Sequence, residues 1–137
     1  GRYVSLDRVK LDWPPPAPPP VVIGATGPKT LRLSGELADA TILTSSTSLD
    51  GVKAAREHIA AEGHRVILFA EMAFGPGAEQ RLREPSRLTG SAEEIAEGVR
   101  RFAEAGADSV ILEPTADEPD LPGFVRFVAE EVRPLVD

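Results

Sequence analysis

The stretch Val21-Val22-Ile23-Gly24-Ala25-Thr26-Gly27-Pro28-Lys29 decides the fold of this chain. It begins with a short β-branched run without polar alternation, which is typical of a parallel strand covered on both faces. Two glycines then form a tight turn, and Pro28 stands in the first turn of a helix predicted over residues 28–38. A buried strand that turns directly into a helix is the first half of a β/α unit.

The same unit occurs three more times along the chain. Apolar runs predict further strands at residues 41–43, 66–69 and 109–112. One helix is predicted over residues 49–62. A second begins at the capping box at Ser91 and ends at Gly106, and a third is predicted near residues 121–135. Strand followed by helix, four times over, predicts a parallel sheet with right-handed crossovers.

The predicted helices carry their own boundary and burial signals. Ser48 is the expected N-cap of the second helix, and Gly63 lies just past its end. The residues at helical spacing that we expect to be buried are Ile95, Val99, Phe102 and Ala103 in the third helix and Phe124, Val125, Val128 and Val132 in the fourth.

The length of the repeat limits the architecture. An eight-fold β/α barrel takes about 250 residues, or about 31 per unit. The roughly 117 residues from Val21 onward give about 29 for each of four units. The expected fold is therefore α/β, as half of a (β/α)8 barrel. A small open, doubly wound sheet of four strands is the competing solution, because periodicity does not report closure.

Composition excludes several classes of protein. The 137 residues carry 15 Lys+Arg against 22 Asp+Glu, a formal charge of −7, so neither nucleic acid nor an anionic membrane is an expected partner. With 42% hydrophobic residues the chain can bury a core. Zero cysteines exclude disulfides, a thiolate nucleophile and cysteine-ligated metals. Without a signal-peptide pattern or a long apolar run, we expect a cytoplasmic protein.

Residues 1–20 form a separate, extended lead-in to the predicted unit 21–137. Residues 1–12 alternate loosely, as in a short exposed hairpin or excursion, and eight residues from Trp13 to Pro20 include six prolines. Proline prevents helix and central strand, so this part should be polyproline II. It could be a stiff lead-in or a ligand for an SH3-like groove. A start at Gly1 instead of Met suggests a processed start or part of a longer protein.

The loop after the first strand is the strongest candidate site, because ligands of β/α proteins gather at the carboxyl ends of the strands. It comprises Gly24, Ala25, Thr26, Gly27, Pro28 and Lys29. The glycines let the backbone approach a ligand, and the helix start favours an anion. Lys29 would oppose the helix dipole unless it has an anionic partner. Tight βα turns also use glycine for steric reasons alone, so both interpretations stay open.

The next two loops offer polar groups for a small-molecule substrate. Thr44 and Ser45 belong to a run of five hydroxyl residues that could donate to ligand oxygens, although helix capping needs only one of them. Glu71 follows the third strand, either as an acid/base group with a raised pKa at the mouth or as a solvated side chain beyond the strand. Glu113 after the fourth strand is similar.

Other ionisable residues offer little chemistry. His58 lies in the second helix and His64 just past it, where a cation suits the helix end, and neither is near a strand's carboxyl end. No spacing fits a metal site or a catalytic triad. A group around Arg81 is expected to be a mobile, solvated polar loop, with contact to an anion as the alternative. It comprises Glu79, Arg81, Arg83, Glu84 and Arg87.

Five blocks of the chain carry a family resemblance. They are residues 1–4, 9–15, 20–33, 35–39 and 102–110. These blocks resemble the luciferase-like monooxygenase superfamily, and within it the deazaflavin-dependent (coenzyme F420) oxidoreductases. The resemblance implies a TIM barrel of about twice this length, of which the chain matches the carboxyl-terminal half, strands five to eight.

The resemblance also implies how the loops are used. The turn at residues 25–28 would run along the side chain and phosphate of coenzyme F420 or FMN. Thr44 would lie on the substrate side, and Thr47 stands where sugar-phosphate-oxidising relatives have lysine, so a sugar phosphate is not the expected substrate. The catalytic groups of the family come from the other half of the barrel, so no catalytic residue is assigned here.

Two function classes follow. The first is the carboxyl-terminal half of a flavin- or deazaflavin-dependent oxidoreductase that supplies the wall of the pocket around the cofactor tail. The second is a non-catalytic α/β module for interaction or phosphate binding. Since a free half barrel exposes strand edges and an apolar face, we expect a homo-oligomer or a complex with an amino-terminal half.

Overall fold

The computed structural model describes residues 2–84 and 87–136. Gly1 and Asp137, the outer ends of the two predicted segments, lie outside the described residues. The strands are β1 (Val22–Gly24), β2 (Ala40–Leu43), β3 (Arg65–Met72) and β4 (Ser109–Pro114). The helices are α1 (Pro28–Leu37), α2 (Leu49–Ile59), α3 (Ala78–Arg81), α4 (Ala92–Glu104) and α5 (Leu121–Phe127). A π-helical turn (Val128–Val132) and a 3-10 turn (Arg133–Leu135) continue α5.

The four strands form one parallel sheet in the order β1-β2-β3-β4. Ile23 pairs with Thr41, Thr41 with Val66, and Leu68 with Val110, so the register is continuous across the sheet. The four predicted β/α units are thereby confirmed. Each strand lies beside its sequence neighbour, which is the strand order of a barrel segment.

Only one face of the sheet is covered by helices within the described part. Along β3, Val66, Leu68 and Ala70 are fully buried in the core, whereas the alternate residues, such as Ile67, are only half-buried. The sequence predicted burial on both faces, and that was wrong, because an unbroken apolar run also suits a strand whose second face is the inside of a barrel. The uncovered face favours half a barrel over a doubly wound sheet.

Two helix boundaries and two burial assignments differ from the prediction. Helix α2 begins after the N-cap Ser48 as predicted but ends at Ile59, three residues early, because Ala60 adopts the left-handed conformation (φ 49°). Helix α1 ends at Leu37, one residue before the predicted end. Ala103 and Val125 are exposed instead of buried, since each lies off the stripe that faces the core. The capping box at Ser91 and Glu94 is confirmed.

Helices α1 and α2 pack at close range through Gly35. A Cβ atom at Gly35 would lie 2.3 Å from the carbonyl oxygen of Ile59, which is closer than any side chain can approach. The absence of a side chain therefore sets the separation of the two helices. It also defines which flank of α1 faces α2.

A buried polar chain ties α1 to the sheet. Ser34 Oγ lies 2.7 Å from Thr41 Oγ1, which lies 2.8 Å from His64 Nε2. His64 is only 6% exposed, so its imidazole is part of this buried chain and not a surface group at the end of α2. The reason is nonlocal, because Thr41, whose hydroxyl forms a hydrogen bond with the imidazole, lies more than twenty residues earlier in the chain.

The amino-terminal edge of the sheet is held by Arg56 of α2. Its guanidinium donates to the carbonyl oxygens of His64 and Gly106 and pairs with the Asp108 carboxylate. Asp108 also accepts from the backbone N–H of Val66 at 2.6 Å. Contacts at this edge, opposite the carboxyl ends of the strands, are structural in β/α proteins.

Residues 2–20 contain neither helix nor strand, and every residue of this segment is exposed. The predicted alternation therefore gives an excursion and not a hairpin. Trp13 is 90% exposed. In the parts of the chain that the structure describes, no helix combines the length and the apolar character needed to cross a bilayer.

Candidate functional site

The turn between β1 and α1 leaves backbone donors free at the carboxyl edge of the sheet. Gly27 is the N-cap of α1 and has no side chain to cap it, while Pro28 has no N–H. Within the described residues, the N–H groups of Lys29 and Thr30 therefore have no partner, because the first intrahelical bond runs from Leu31 N to Gly27 O. These donors and the helix dipole favour an anion at this point.

The space beside this turn is open. A Cβ atom at Gly24 or Gly27 would meet no heavy atom within 4 Å, and neither residue has a positive φ. Gly27 is extended, with φ −89° and ψ 148°, a conformation that any residue can adopt. The backbone conformation therefore does not require glycine at Gly27, and the open space would let a ligand approach the backbone closely.

The loop between β2 and α2 presents hydroxyl groups next to this turn. Thr44 Oγ1 lies 2.7 Å from Ser46 Oγ, and a backbone turn joins Thr47 N to Thr44 O. Ser48 Oγ accepts from Gly51 N at 3.2 Å, so α2, unlike α1, is capped by its own side chain. Capping uses one hydroxyl of the five, as the sequence suggested.

The two loops border one cleft of about 300 Å³. It joins Thr26 and Pro28 of the first loop with the hydroxyl residues of the second, and its floor consists of apolar and small residues. The lining residues are Thr26, Pro28, Leu31, Leu43, Ser46, Thr47, Ser48, Gly51, Ala54, Ala55 and His58. Hydroxyl groups beside apolar side chains suit a ligand that carries both a polar and an apolar part.

Some of the predicted residues lie beside this cleft and not in its wall. Ala25 is buried and continues the sheet through Ala25 N to Ile42 O at 3.2 Å. Gly24 and Lys29 are exposed at the rim of the turn, and Lys29 forms no ion pair within the described residues. Thr44 and Ser45 precede the hydroxyl residues that line the cleft.

Sequence reasoning missed His58 as a residue of the cleft. It lies in the last turn of α2, one side of which forms the cleft through Gly51, Ala54, Ala55 and His58. These positions follow the i, i+3, i+4, i+7 spacing of one helix face. This spacing, together with Thr26 on the neighbouring unit, is the signal that could have placed His58 here.

Glu71 is a member of β3 and not a solvated residue beyond it. Its Oε2 accepts from the backbone N–H groups of Arg83 at 2.6 Å and Glu84 at 3.1 Å. In register it lies beside Glu113 of β4. The interpretation of Glu71 as a solvated side chain beyond the strand was wrong, and the carboxylate anchors the loop that follows β3.

Arg81 is buried in an ion pair, which overturns the prediction of a solvated loop at this position. Its Nη2 atom lies 3.2 Å from Glu118 Oε2, and the guanidinium also donates to the carbonyl oxygens of Phe74 and Pro76. Its side chain is 13% exposed and that of Glu118 only 1%. The pair ties the loop after β3 to the loop after β4, and the partner that buries Arg81 lies 37 residues away.

A larger cavity of about 540 Å³ lies between the loop after β3 and α4. Three glutamates (Glu79, Glu94 and Glu97) and two arginines (Arg87 and Arg101) line it. Its mixed charge and its position on the outer side of α4 make it a poorer anion site than the first cleft. No cluster of metal-ligating side chains occurs within residues 2–84 and 87–136.

Comparison with known proteins places this geometry in a family. The sequence pattern of the luciferase-like monooxygenases matches residues 1–85. No curated protein matches the chain. The sequence match therefore includes the first two β/α units, with both loops of the cleft.

Solved structures show the same fold. An F420-dependent secondary alcohol dehydrogenase, solved in complex with an F420–acetone adduct, superposes with a TM-score of 0.81 and 18% identity over 100% of this chain and 55% of that one. The coenzyme F420-dependent tetrahydromethanopterin reductase of Methanopyrus kandleri superposes with a TM-score of 0.70 and 14% identity. The superposition covers 86% of this chain and 51% of that one. The chain thus spans about half of the length of these structures, and the prediction of half a TIM barrel is confirmed.

Proposed function

Because the chain belongs to the luciferase-like monooxygenase family, we propose that it forms the wall of an oxidoreductase pocket that holds the phosphate-bearing tail of coenzyme F420. FMN is the alternative cofactor. When bound, such a cofactor supplies hydride or oxygen transfer chemistry. The role of this chain is binding and orientation, and no catalytic residue is assigned to it.

The uncapped start of α1 beside the hydroxyl loop carries the proposal. The free N–H groups of Lys29 and Thr30 would donate to a phosphate, and the open space beside Gly27 would admit it. The Lys29 ammonium, which has no acidic partner in the described residues, adds a positive charge at the same point. Hydroxyls of Ser46 and Ser48 border the cleft that Thr26 and Pro28 of this turn also line.

The neighbours favour F420 over FMN. Both solved structures are named as F420-dependent enzymes. This likeness supports the choice of cofactor for testing. Thr44 and Ser45, at the start of the hydroxyl loop, are the proposed contacts for a small-molecule substrate, and Glu71 acts by fixing the loop after β3.

Fluorescence titration of the chain with coenzyme F420, and in parallel with FMN, tests the proposal. Gly27→Ala is the decisive variant. Its Cβ atom enters open space at an allowed φ, so the fold should be unaffected while the phosphate is excluded. We expect the variant to weaken F420 binding at least tenfold with an unchanged melting temperature. Lys29→Ala should weaken binding and its dependence on salt, whereas the matched control Lys53→Ala, on an exposed face of α2, should not.

A wild-type chain that changes neither cofactor's fluorescence contradicts the proposal. A Gly27→Ala chain that binds F420 as tightly as wild type would mean that the phosphate lies elsewhere. In either case the stability measurement separates loss of the site from loss of the fold.

A second candidate, a non-catalytic interaction module, is favoured by one observation. The lead-in segment exposes large apolar side chains, including Trp13, Tyr3 and Leu11. Deletion of residues 2–20 distinguishes the two functions. If the segment binds a partner, deletion abolishes that binding and leaves F420 affinity and melting temperature unchanged.

A further inference from the structure

The cleft of about 300 Å³ lies between α1 and α2 and ends where the two helices come into contact. At this contact, a Cβ atom on Gly35 would lie 2.3 Å from the carbonyl oxygen of Ile59. His58 directly precedes Ile59 and lines the cleft, so it lies at the closed end. The other end borders Thr26 and Ser46 of the two loops, at the carboxyl edge of the sheet.

Small side chains of α2 keep the cleft open. Gly51, Ala54 and Ala55 occupy the face of the helix that lines it, at the spacing of neighbouring positions on one helix side. Ala54 is exposed and does not belong to the core, so a longer side chain at this position would fill the cleft without displacing the core. All lining residues fall within residues 26–58, so neither the β4 edge of the sheet nor the lead-in contributes to the cleft.

The charge of the lining differs from that of the whole chain. The protein carries 22 Asp+Glu and a formal charge of −7. Nevertheless, no carboxylate occurs among the described residues that line this cleft, whereas three glutamates line the larger cavity beside α4. The imidazole of His58 is the sole ionisable group of the described lining, and no other described residue pairs with it. The closed end of the cleft therefore offers an N–H donor and no charge that would repel an anion.

The volume limits what the cleft can hold. A cavity of about 300 Å³ lies at the lower bound for small-molecule pockets, which is too small for a complete cofactor. It suits an elongated side chain of a ligand that enters from the carboxyl edge. Leu31 and Leu43 offer apolar contacts to such a chain, and the hydroxyls beside them offer polar ones.

We propose that this cleft binds the anionic tail of a ligand and that His58 holds the end of the tail. The inference rests on the proposed function for the identity of the ligand, which is coenzyme F420 there. The imidazole N–H would donate to a phosphate or carboxylate oxygen, a bond that a positive charge on the ring strengthens. Ser48 Oγ accepts from Gly51 N and keeps its own proton to donate to the tail.

Fluorescence titration with two ligands tests whether the tail occupies the cleft. The ligands are coenzyme F420 and the same deazaflavin without its phosphate-bearing tail. The variant Ala54→Leu should weaken F420 binding at least about fivefold and leave binding of the tail-less compound unchanged. The matched control Ala103→Leu, at an exposed alanine of α4 outside the cleft, should bind F420 like wild type. An Ala54→Leu chain that binds F420 as tightly as wild type overturns the proposal.

A charge series at His58 tests the role of the imidazole. His58→Lys keeps a donor and a positive charge, His58→Gln keeps only a donor, and His58→Glu introduces a negative charge. Affinity for F420 should fall in that order, by about tenfold or more from the lysine to the glutamate variant. Melting temperatures show whether each variant is folded. Equal F420 affinities of the folded lysine and glutamate variants overturn the assignment of His58.

Proton–carbon NMR of the histidine rings tests the cleft without a cofactor. In a titration with phenyl phosphate, an organic anion with an apolar part, we expect the ring signals of His58 to shift in a saturable way. His64, which is only 6% exposed, is the internal control and should not respond. An absent His58 shift, or an equal shift in Ala54→Leu, overturns the proposal. A wild type that shows the His58 shift but binds neither F420 nor FMN contradicts the proposed function alone.

Discussion

Arg81 and Glu118 form an ion pair that is almost fully removed from solvent, although 37 residues separate them. Arg81 follows β3 and Glu118 follows β4, so the pair connects two loops at the carboxyl edge of the sheet. The guanidinium is further held by the carbonyl oxygens of Phe74 and Pro76. The ring of Phe74 stacks on that of Phe127 with 5.2 Å between the ring centroids. Phe74 therefore takes part in both a polar and an aromatic contact of the loop after β3.

Glu118→Ala should be strongly destabilising. Removing one member of a buried pair leaves the other charge without a partner in a poorly solvated site, which costs about 3–5 kcal/mol. Urea denaturation followed by circular dichroism measures the free energy of unfolding. The control is Glu97→Ala, whose partner Arg100 is exposed, and there we expect a loss below about 1 kcal/mol. Equal losses in the two variants would contradict a buried role for Glu118.

What the sequence could predict was local. Strands, crossovers and caps depend on residues within a few positions of each other, as in the capping box at Ser91 and Glu94. The roles of Glu71, His64 and Arg81 depend on partners that are distant in sequence, so local patterns did not reveal them and suggested a solvated side chain for Glu71 and Arg81. The turn at Gly27 and the start of α1 could be predicted because the signals of a helix start are also local, whereas His58 joins the cleft only through the packing of α2 beside α1.

Gly35→Ala should be destabilising in spite of the higher helix propensity of alanine. The new Cβ atom would lie 2.3 Å from the Ile59 carbonyl oxygen, which is backbone and cannot rotate away. Helices α1 and α2 would have to separate, and overpacking of this kind costs about 1–3 kcal/mol. Gly27→Ala, where the added atom meets open space, is the matched control and should change stability by less than about 0.5 kcal/mol. A stabilised Gly35→Ala protein would show that the contact relaxes without cost.

Ser91→Ala should lower stability and change its pH dependence. The Ser91 hydroxyl accepts from Glu94 N, and loss of such an N-cap costs about 1 kcal/mol. A hydrogen bond from the backbone N–H of Glu93, together with the Ser91 hydroxyl, lowers the pKa of the Glu93 carboxyl below its ordinary value. A lowered pKa in the folded state gives stability that is present above the unfolded pKa and is lost as the pH falls through the folded pKa.

The pH dependence is measured by thermal unfolding of wild type and Ser91→Ala between about pH 3 and 7. The variant loses one cause of the lowered Glu93 pKa, so its stability should rise less between acid and neutral pH than that of wild type. The two curves of stability against pH should therefore converge toward acid. The control is Ser5→Ala, at an exposed position outside the helices, which should leave the curve unchanged. Parallel curves for wild type and Ser91→Ala would contradict the assignment.

Thr41→Val should destabilise the protein, mainly because it leaves two buried hydrogen-bonding groups without their partner. Valine keeps the shape of threonine and its strand propensity, but it leaves Ser34 Oγ and His64 Nε2 buried without their common partner. Each buried polar group left unsatisfied costs about 1–3 kcal/mol. Ser34→Ala interrupts the same chain at its end and should cost less. Since both substitutions disrupt one network, the double variant Ser34→Ala/Thr41→Val should lose less than the summed losses of the single variants, whereas strict additivity in urea denaturation would show that the two hydroxyls act independently.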